Sequence, residues 1–503
     1  MTDAVSRTRE GTLAPPSILA EIESDASAAV AASFVELAAE YFVQTRERSG
    51  TVSTSLTPSA LAKRFDEPLP RRGKSIDAVV ARLRDEVIPG SNHLWHPRYV
   101  GHQIAGPLPA AVWTESVTAS LNQSLAVFEM SPVGTVLEHR VIGWMCELAG
   151  FPAGSGGTMT SGGTEATFTG LLAARGAAMP DAWTSGVGAD PPLLLCGEHA
   201  HYAVTRAAGE LGLGMRSVRA IPSRDYRMDP AALARALDEI VGNGDRVMAV
   251  VATAGSTATG SFDDLEAIAT ICDDHGVWLH VDAAHGGSAL LSAGHRGRLR
   301  GIERARSIAW DPHKMMLLPS QAGMLLVRDE RDLDAAFSQR APYLFHDAGG
   351  ERVWDQGTRS FLCSRRADVL KLWVALQRHG ADALGELYDY FCALTRFMRD
   401  EISRRDDFEA MHEPDGDILC FRYVEDRALG DEGLDALNRA LRERYNRSGA
   451  GWITGTMLGG RRVLRVTLMN PRTTEADVRA ILDELAALGR EIVREGAAPI
   501  RLS

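Results

Sequence analysis

The sequence has little of what marks several classes of protein. Its six cysteines, among 503 residues, are widely scattered, and no two of them lie two or four residues apart. Zinc-ribbon and dithiol redox motifs are therefore not indicated, and we expect buried free thiols in a reducing cytosol. No apolar run has the length of a membrane span, and Met1–Glu10 lacks the apolar core of a signal peptide. A cytoplasmic protein without a membrane partner is predicted.

Basic tracts are also missing. The net charge is -12, and no lysine- or arginine-rich segment offsets it, so a nucleic-acid partner is not predicted. Apolar residues make up 45% of the chain, which is typical of a globular protein. A chain of 503 residues is too long for one simple core, and we expect two or three subdomains.

The two ends of the chain differ from its middle. Residues 1–25 mix Ser, Thr, Pro and acidic residues without periodicity, which predicts a mobile arm. Residues 26–95 carry helical stripes, one of them after the N-cap Ser75, and cannot form much core alone. We expect this helical segment to pack on a partner subunit. Residues 381–503 predict a small α+β domain, in which Thr474 caps a long helix.

The middle of the chain, residues 96–380, alternates between two patterns. Helical patterns at Pro230–Val241 and Leu265–His275 separate short apolar runs. Such alternation predicts an α/β domain whose parallel sheet is covered on both faces, with ligands bound at the carboxyl ends of the strands. The predicted strands are Leu193–Cys196, Val247–Ala252, Val277–Val281 and Gly323–Val327.

A glycine-containing turn precedes a predicted helix at Thr160–Ala166. Gly162 and Gly163 let the backbone pass close to a ligand, and Thr164 follows as the helix begins. The unpaired N–H groups and the partial positive charge of a helix start suit a phosphate. Because an ordinary turn explains the same residues, phosphate binding at Gly163 and Thr164 is a hypothesis.

Two charged residues stand in apolar surroundings. Asp282 ends an apolar run, and it either caps the next loop or balances a buried cation. Lys314 is followed by the apolar residues Met315–Leu318, which argue against a solvated lysine. Burial of a lysine favours its uncharged amine, which imine formation requires.

The three motifs are more specific together than separately. Pyridoxal 5'-phosphate (PLP) needs a phosphate-binding turn, an acid at its ring nitrogen and a lysine for its aldehyde. Gly163 with Thr164, Asp282 and Lys314 supply these groups in that order along the chain. We therefore predict that Lys314 holds PLP as an imine. Asp282 would keep the ring nitrogen protonated, so that the ring accepts electrons from the substrate.

The sequence resembles the group II PLP-dependent decarboxylases, which act on glutamate, aromatic amino acids or 2,4-diaminobutyrate. The resemblance implies α-decarboxylation of an L-amino acid to the amine and CO₂, in the aspartate-aminotransferase-like fold type I. It also implies a mixed, mostly parallel seven-stranded sheet in residues 96–380. The matching stretches are His96–Tyr99, Thr160–Arg175, His201–Tyr202, Val251–Gly255, His280–Ala284 and Asp311–Lys314.

The resemblance implies further residues at the cofactor. His201 would stack on the ring and help to orient the substrate carboxylate, and Ala284 would pack on the opposite ring face. Thr253 would lie near the ring hydroxyl, and His313 would face the cofactor. In the family the site lies between two subunits, so a homodimer is implied.

Residues near the substrate are also implied. Tyr343 lies in a stretch that looks like the family's mobile catalytic loop, and it would protonate the carbanion after CO₂ leaves. Arg465 matches an arginine near the substrate carboxylate, and His102 and Ser364 fall near pocket positions. An aromatic substrate is slightly favoured, while glutamate, aspartate and 2,4-diaminobutyrate stay open.

Other functions compete with simple decarboxylation. Relatives that form aldehydes by oxidative deamination typically replace the loop tyrosine or the stacking histidine, whereas Tyr343 and His201 are present here. A metal-dependent hydrolase could use His199 and His201, or His280 and Asp282, as ligands. That reading leaves the buried lysine unexplained, so no metal is predicted. A non-catalytic protein would be expected to lose the lysine, the aspartate and the tyrosine.

Overall fold

A computed structural model describes residues 18–104, 106–337 and 354–496 of the chain. Its α-helices are α1 (Ile18–Asp25), α2 (Ala28–Arg46), α3 (Pro58–Arg64), α4 (Ile76–Arg82), α5 (Ile88–Gly90), α6 (Pro109–Leu121), α7 (Pro132–Leu148), α8 (Gly163–Ala178), α9 (Ala182–Ser185), α10 (Ala203–Glu210), α11 (Pro230–Gly242), α12 (Leu265–His275), α13 (Arg331–Ala336), α14 (Val369–Ser403), α15 (Gly430–Ser448) and α16 (Glu475–Arg494). Its strands are β1 (Gly156–Thr160), β2 (Leu193–Gly197), β3 (Val218–Ile221), β4 (Ser223–Arg224), β5 (Arg227–Met228), β6 (Val247–Thr253), β7 (Trp278–Asp282), β8 (Ser307–Trp310), β9 (Gly323–Val327), β10 (Phe408–Ala410), β11 (Ile418–Tyr423), β12 (Thr454–Leu458) and β13 (Arg461–Thr467).

Several helices begin at the residue types that the sequence indicates. The hydroxyl of Ser75 accepts a hydrogen bond from the N–H of Ala78 at the start of α4. At the start of α16, Thr474 and Asp477 form a capping box, as predicted. The helix predicted after Ser75 continues through a π-helical turn, Leu83–Val87, into α5 and ends at Gly90.

A seven-stranded sheet forms the centre of the large unit, in the order β1-β9-β8-β7-β6-β2-β3. Strand β9 is antiparallel to both of its neighbours, and the other adjacent pairs are parallel. The expected mixed, mostly parallel α/β sheet is therefore confirmed. Successive side chains along a strand point to opposite faces of the sheet, so they belong to two different hydrophobic cores. Leu195 and Val250 pack with α7, α11, α12 and α14. Leu194 and Val251 pack with α8 and α10.

A second, antiparallel sheet has the order β10-β11-β13-β12. Its inner face packs on α15, α16 and the second half of α14. Gly380 interrupts α14 with a φ of 80°, a conformation that glycine adopts readily. This break supports the boundary predicted between residues 380 and 381, which stays a prediction.

Three findings qualify the sequence-based expectations. The predicted arm, residues 1–25, is helical at its end, because α1 brings Ile18, Leu19 and Ile22 onto one stripe. Cys363 is exposed, whereas the other cysteines are buried as expected. No single helix of the described residues is long and apolar enough to cross a membrane, and only the pair α1 and α2, bent by 56°, reaches that length and composition together.

Candidate active site

The carboxyl ends of three neighbouring parallel strands form one wall of a cavity. The register places Thr253 of β6 opposite Asp282 of β7, and Asp282 opposite Ala309 of β8. A cavity of about 300 Å³ opens at this edge of the sheet, where the topology predicts ligand binding. It is lined by Ser161, Gly162, Gly163, Thr164, His201, Thr253, Gly255, Thr257, Asp282, Ala284, His285, Asp311, His313 and Lys314.

Lys314 lies in a turn that follows β8. Its Nζ lies 3.3 Å from Oδ2 of Asp311, and the turn is closed by a hydrogen bond from the Lys314 N–H to the Asp311 carbonyl. The following residues, Met315–Leu318, are buried in the core of the large unit. Leu317 adopts a positive φ of 54°, which is rare for leucine and directs the chain sharply after the lysine. The apolar neighbours thus anchor the turn, while a carboxylate holds the ammonium group.

Asp282 is a buried carboxylate at the cavity wall. Its Oδ1 accepts a hydrogen bond of 3.2 Å from the N–H of Ala284. Burial raises the pKa of Asp282, and the positive charges of Lys314 and His201 partly oppose that shift. A cation placed in the cavity beside Asp282 would stabilise its ionised form.

The start of α8 lies close to Ala284 and Asp311 on the other side of the cavity, because its first residue is a glycine without a side chain. A Cβ atom on Gly163 would lie 2.7 Å from Cβ of Ala284 and 3.0 Å from Oδ2 of Asp311. Gly163 and Thr164 are the first two residues of α8, so their N–H groups lack partners within the helix. This turn can therefore receive an anionic group close to the backbone.

His201 and Thr253 contribute polar side chains to the same cavity. Nδ1 of His201 accepts a hydrogen bond of 3.2 Å from the N–H of Ala203, which fixes the ring at the start of α10. Burial lowers the pKa of His201, although the charge of Asp282 opposes this shift. The hydroxyl of Thr253 is buried and has no partner among the described residues. Both side chains are available to a bound molecule.

Arg465, on the second sheet, does not line the cavity but contacts its edge at the lining residue Thr257. It is buried, and its guanidinium group donates a hydrogen bond of 2.6 Å to the carbonyl of Thr257, a lining residue. Burial lowers the pKa of Arg465, and the nearby charge of Asp417 opposes that shift. Nε of Arg465 is buried without a partner among the described residues.

Two lining residues that the structure makes prominent are not among the predicted site residues. Asp311 pairs with Lys314, and its carboxylate lies 3.7 Å from Nε2 of His313. The spacing of three residues between Asp311 and the lysine could have indicated this pair. His285 follows the predicted Asp282 motif and pairs with Asp417, 132 residues away. No local pattern predicts that second contact.

Besides Arg465, three predicted residues are not brought to the cavity by the described part of the chain. The side chains of His102 and Ser364 are exposed and do not line it. Tyr343 lies outside the described residues. Their predicted contacts with the substrate stay predictions.

The lining residues fit PLP. The glycine turn suits its phosphate, the buried Asp282 suits its protonated ring nitrogen, and Lys314 offers an amine to its aldehyde. The unpartnered hydroxyl of Thr253 adds a hydrogen-bonding group at the same wall. Across the described ranges, no group of three or more His, Cys, Asp or Glu side chains could hold a metal ion.

Comparison with known proteins points to the same chemistry. The family model described as "Pyridoxal-dependent decarboxylase conserved domain" matches residues 58–424. The mouse cysteine sulfinic acid decarboxylase is 35% identical over 447 residues, which cover 86% of this chain and 90% of that protein. The L-2,4-diaminobutyrate decarboxylase of Rhizobium meliloti is 35% identical over 435 residues, 86% of each protein.

Solved structures share the whole architecture. The crystal structure of mouse CSAD has a TM-score of 0.87 at 32% identity, covering 94% of this chain and 99% of that chain. The crystal structure of Oryza sativa TDC with PLP and tryptamine has a TM-score of 0.87 at 26% identity, covering 95% of this chain and 99% of that chain.

Proposed function

This chain belongs to the pyridoxal-dependent decarboxylase family, and from that membership we propose roles for its site residues and a class of substrate. The protein is a PLP-dependent amino-acid decarboxylase, which releases CO₂ from an L-amino acid and leaves the amine. Its fold is type I of the PLP-dependent enzymes.

We assign the cofactor contacts to the cavity residues. Gly163 and Thr164 would hold the phosphate, and Nζ of Lys314 would hold the cofactor through its aldehyde group. Asp282 faces the ring nitrogen, and its carboxylate is stabilised in the ionised form by the charge that the nitrogen carries when protonated. When bound, PLP supplies an electron sink for the pair of electrons left on the substrate's α-carbon.

The remaining lining residues orient the reactants. His201 and Ala284 hold the two faces of the ring, Thr253 donates to its hydroxyl, and His313 contacts the cofactor beside the lysine. Holding the substrate carboxylate perpendicular to the ring aligns the bond that breaks with the π system. Lys314 would be the amine that holds the cofactor before and after each turnover.

Tyr343 delivers the proton to the α-carbon after CO₂ has left. The support is its place in the resemblance, together with the presence of His201 in the cavity. Relatives that form aldehydes are expected to lack one of these two residues. We therefore propose amine, rather than aldehyde and peroxide, as the product.

The substrate that we propose has an acidic side chain. The observation that carries this proposal is Arg465, a buried cation at the cavity edge whose Nε has no partner among the described residues. Asp417, the carboxylate whose charge acts on Arg465, is held through Oδ1 by His285, and no hydrogen bond joins it to Arg465 among the described residues. An acidic side chain would complete the pairing of Arg465, whereas the ammonium group of 2,4-diaminobutyrate would meet a like charge.

The names of relatives include acidic substrates and, at the same 35% identity, 2,4-diaminobutyrate, so the choice between them rests on Arg465. Cysteine sulfinic acid decarboxylase of mouse is 35% identical, and the mouse protein named acidic amino acid decarboxylase is 33% identical. The solved structure that contains tryptamine is 26% identical. Arg465 and His102 would bind the two acidic groups, and Ser364 would contact the substrate from the subunit boundary.

A panel of L-amino acids tests the substrate and the product together. CO₂, amine, aldehyde and peroxide are measured with cysteine sulfinate, aspartate, glutamate, 2,4-diaminobutyrate, tryptophan and tyrosine. We expect an acidic substrate to have the highest kcat/KM. Arg465→Gln should lower that value by roughly 100-fold, because a charge-assisted hydrogen bond is lost. Arg462→Gln, on the same strand but outside the cavity, is the matched control and should change it little.

Two outcomes would contradict this assignment. Preferred turnover of tryptophan, tyrosine or 2,4-diaminobutyrate would refute the acidic substrate class. Aldehyde and peroxide in place of the amine would refute the role given to Tyr343.

We also propose a homodimer whose active sites lie at the subunit interface. Exposed apolar side chains recur in α6 and in the segment that follows it, and the N–H of Leu125 in that segment donates 2.8 Å to the carbonyl of Arg365. Phe361 and Leu362, which shortly precede Arg365 in the chain, are exposed and apolar as well. We propose that these segments form one apolar surface, which is typical of an interface. Its exposed members are Val117, Leu121, Phe128, Met130, Val133, Val136, Phe361 and Leu362.

A cytoplasmic location is part of the same proposal. Free cysteines persist in reducing compartments, and the cysteines of this chain form no disulfide among the described residues.

A further inference from the structure

A buried hydrogen-bonded pair connects the cofactor cavity to the second sheet. His285 follows Ala284 directly on the cavity wall, and its Nε2 lies 2.8 Å from Oδ1 of Asp417. The side chains are 4% and 2% exposed, so the pair is shielded from water. No role in the decarboxylation has been given to either residue above.

Each member of the pair is fixed to its own unit. The loop after β7 is held closely, because a Cβ on Gly286 would lie 2.6 Å from the carbonyl oxygen of Ala254. The carbonyl of Asp417 accepts a hydrogen bond of 2.8 Å from the N–H of Leu468, which joins it to the strand end beyond β13. If the second sheet shifted relative to the large unit, the hydrogen bond between His285 and Asp417 would therefore move His285 as well.

The pair is not an optimal source of stability. Nδ1 of His285 and Oδ2 of Asp417 are both buried and have no partner among the described residues. A buried, partly satisfied pair contributes little net stability, because desolvation offsets its attraction. What such a pair does provide is a fixed position for the groups on either side of it.

The residue next to His285 belongs to the cofactor wall. The carbonyl of Ala284 accepts a hydrogen bond of 3.1 Å from the N–H of Asp311, whose carboxylate holds Lys314. Cβ of Ala284 also defines the gap opposite Gly163. A displacement of His285 would therefore move Ala284 and, through it, the turn that carries the lysine.

We propose that His285 and Asp417 are positioning residues for PLP, which lock the cavity wall at Ala284 to the second sheet. The inference rests on the proposed placement of PLP in this cavity. Because coupling between two sites is reciprocal, PLP binding should in turn hold the second sheet in place. Neither residue touches the reacting atoms in this role.

Direct binding measurements test the proposal without turnover. Apoprotein is titrated with PLP, and the Kd is followed by absorbance for the wild type and for His285→Gln, His285→Asn and Asp417→Ala. A glutamine amide reaches the position of Nε2 and preserves the donor to Asp417, whereas the shorter asparagine does not. We expect His285→Gln to bind within threefold of the wild type, and His285→Asn and Asp417→Ala to bind at least tenfold more weakly.

Asp415→Ala is the matched control. Asp415 also joins the two units, through Arg298 at 2.6 Å and Arg227 at 2.5 Å, but it does not line the cavity. We expect this variant to lose thermal stability and to keep its Kd for PLP within threefold of the wild type. Equal losses of PLP affinity in Asp415→Ala and Asp417→Ala would show a merely structural link and overturn the proposal.

Hydrogen exchange supplies an independent readout. PLP should slow amide exchange in β11 of the wild type and of His285→Gln, and should not do so in His285→Asn. Wild-type affinity or wild-type protection in His285→Asn would overturn the proposal. Failure of the wild type itself to bind PLP in this cavity, shown by unchanged binding in Lys314→Ala, would instead overturn the placement of the cofactor.

Discussion

At the scale of single residues, the site depends on which buried charges already have partners. Lys314 and Asp311 form one pair, His285 and Asp417 form another, and Asp282 is left with a backbone N–H. Asp282 is thus the carboxylate most in need of a cation, and a protonated ring nitrogen provides one. The different roles proposed for these charged groups follow from the partners that each one has, rather than from their residue types.

Replacing Lys314 by alanine should remove the covalent attachment of PLP. We expect loss of the visible absorbance of the bound cofactor and a fall in kcat of roughly 10³-fold or more, as for other groups that act on the reacting atoms. Lys371→Met is the control, since Lys371 is likewise a lysine paired with carboxylates, here Glu115 and Asp368, but lies outside the cavity. An unchanged spectrum in Lys314→Ala would refute the attachment.

His280 should make stability dependent on pH. Complete burial lowers the pKa of His280 to about 3, below the value near 6.5 expected when the chain is unfolded. Stability is unaffected above pH 6.5 and falls as the pH drops from 6.5 towards 3, because only the unfolded chain takes up the proton there. Between pH 7 and pH 5 this contribution amounts to about 2 kcal/mol.

Denaturant unfolding of the apoprotein at the two pH values measures this effect. The variant His280→Gln cannot take up the proton, so its free energy of unfolding should fall by about 2 kcal/mol less than that of the wild type between pH 7 and pH 5. Identical pH dependence in the two proteins would show that His280 is not the group responsible.

At the scale of elements, helix α8 connects the proposed phosphate site to the sheet. Its first residue, Gly163, faces Ala284, and Gly170 lies over β7, where a Cβ would approach Nδ1 of His280 to 2.8 Å. Glycines at both contacts let the helix lie close enough for its unpaired N–H groups to reach the cavity. The element, rather than any one side chain, provides the anion site.

Adding a methyl group at Gly163 should therefore impair cofactor binding. Gly163→Ala brings its Cβ within 2.7 Å of Ala284, and the resulting shift of the helix start should weaken PLP binding by about tenfold or more, a loss of about 1.4 kcal/mol. Gly143→Ala in α7 is the control, because a Cβ there meets nothing within 4 Å. It should leave the Kd unchanged and raise stability by about 0.5–1 kcal/mol. Equal PLP affinity in both variants would contradict the proposed phosphate site.

At the scale of the whole molecule, the exposed apolar surface is where we propose that two copies of the chain meet. The segment around α6 exposes several large apolar side chains, and such side chains are typical of an interface when they are grouped. A second copy that covers this surface would lie beside the active-site segments, since the surface includes Phe361 and Leu362, next to the predicted pocket residue Ser364.

A charge placed in this surface should prevent assembly. Val117 and Val241 are each 56% exposed, on α6 and α11, so Val117→Glu and Val241→Glu are matched in exposure and chemistry. Light scattering after size exclusion should show monomers for Val117→Glu and dimers for Val241→Glu. Loss of decarboxylase activity should accompany the monomer. A monomeric wild type, or a dimeric Val117→Glu, would contradict the assigned interface.

The sequence alone carries much of the fold and the chemistry. Strands β2, β6, β7 and β9 and the capping box at Thr474 are local features, so hydrophobic patterns and cap residues predict them within a residue or two. The family and the cofactor follow because PLP chemistry demands a phosphate turn, an acid and a lysine, and these occur as recognisable motifs. The cavity then contains the predicted Asp282 and Lys314.

Only the tertiary structure decided how those motifs are paired and held. The antiparallel direction of β9 is set by its neighbours in the sheet, and the bond between His285 and Asp417 joins residues 132 apart in the chain. Local patterns report the propensities of short segments, whereas these contacts depend on which segments the folded chain brings together. The sequence therefore indicated the family, the cofactor and the lining residues Asp282 and Lys314, and it did not indicate the contacts that position them.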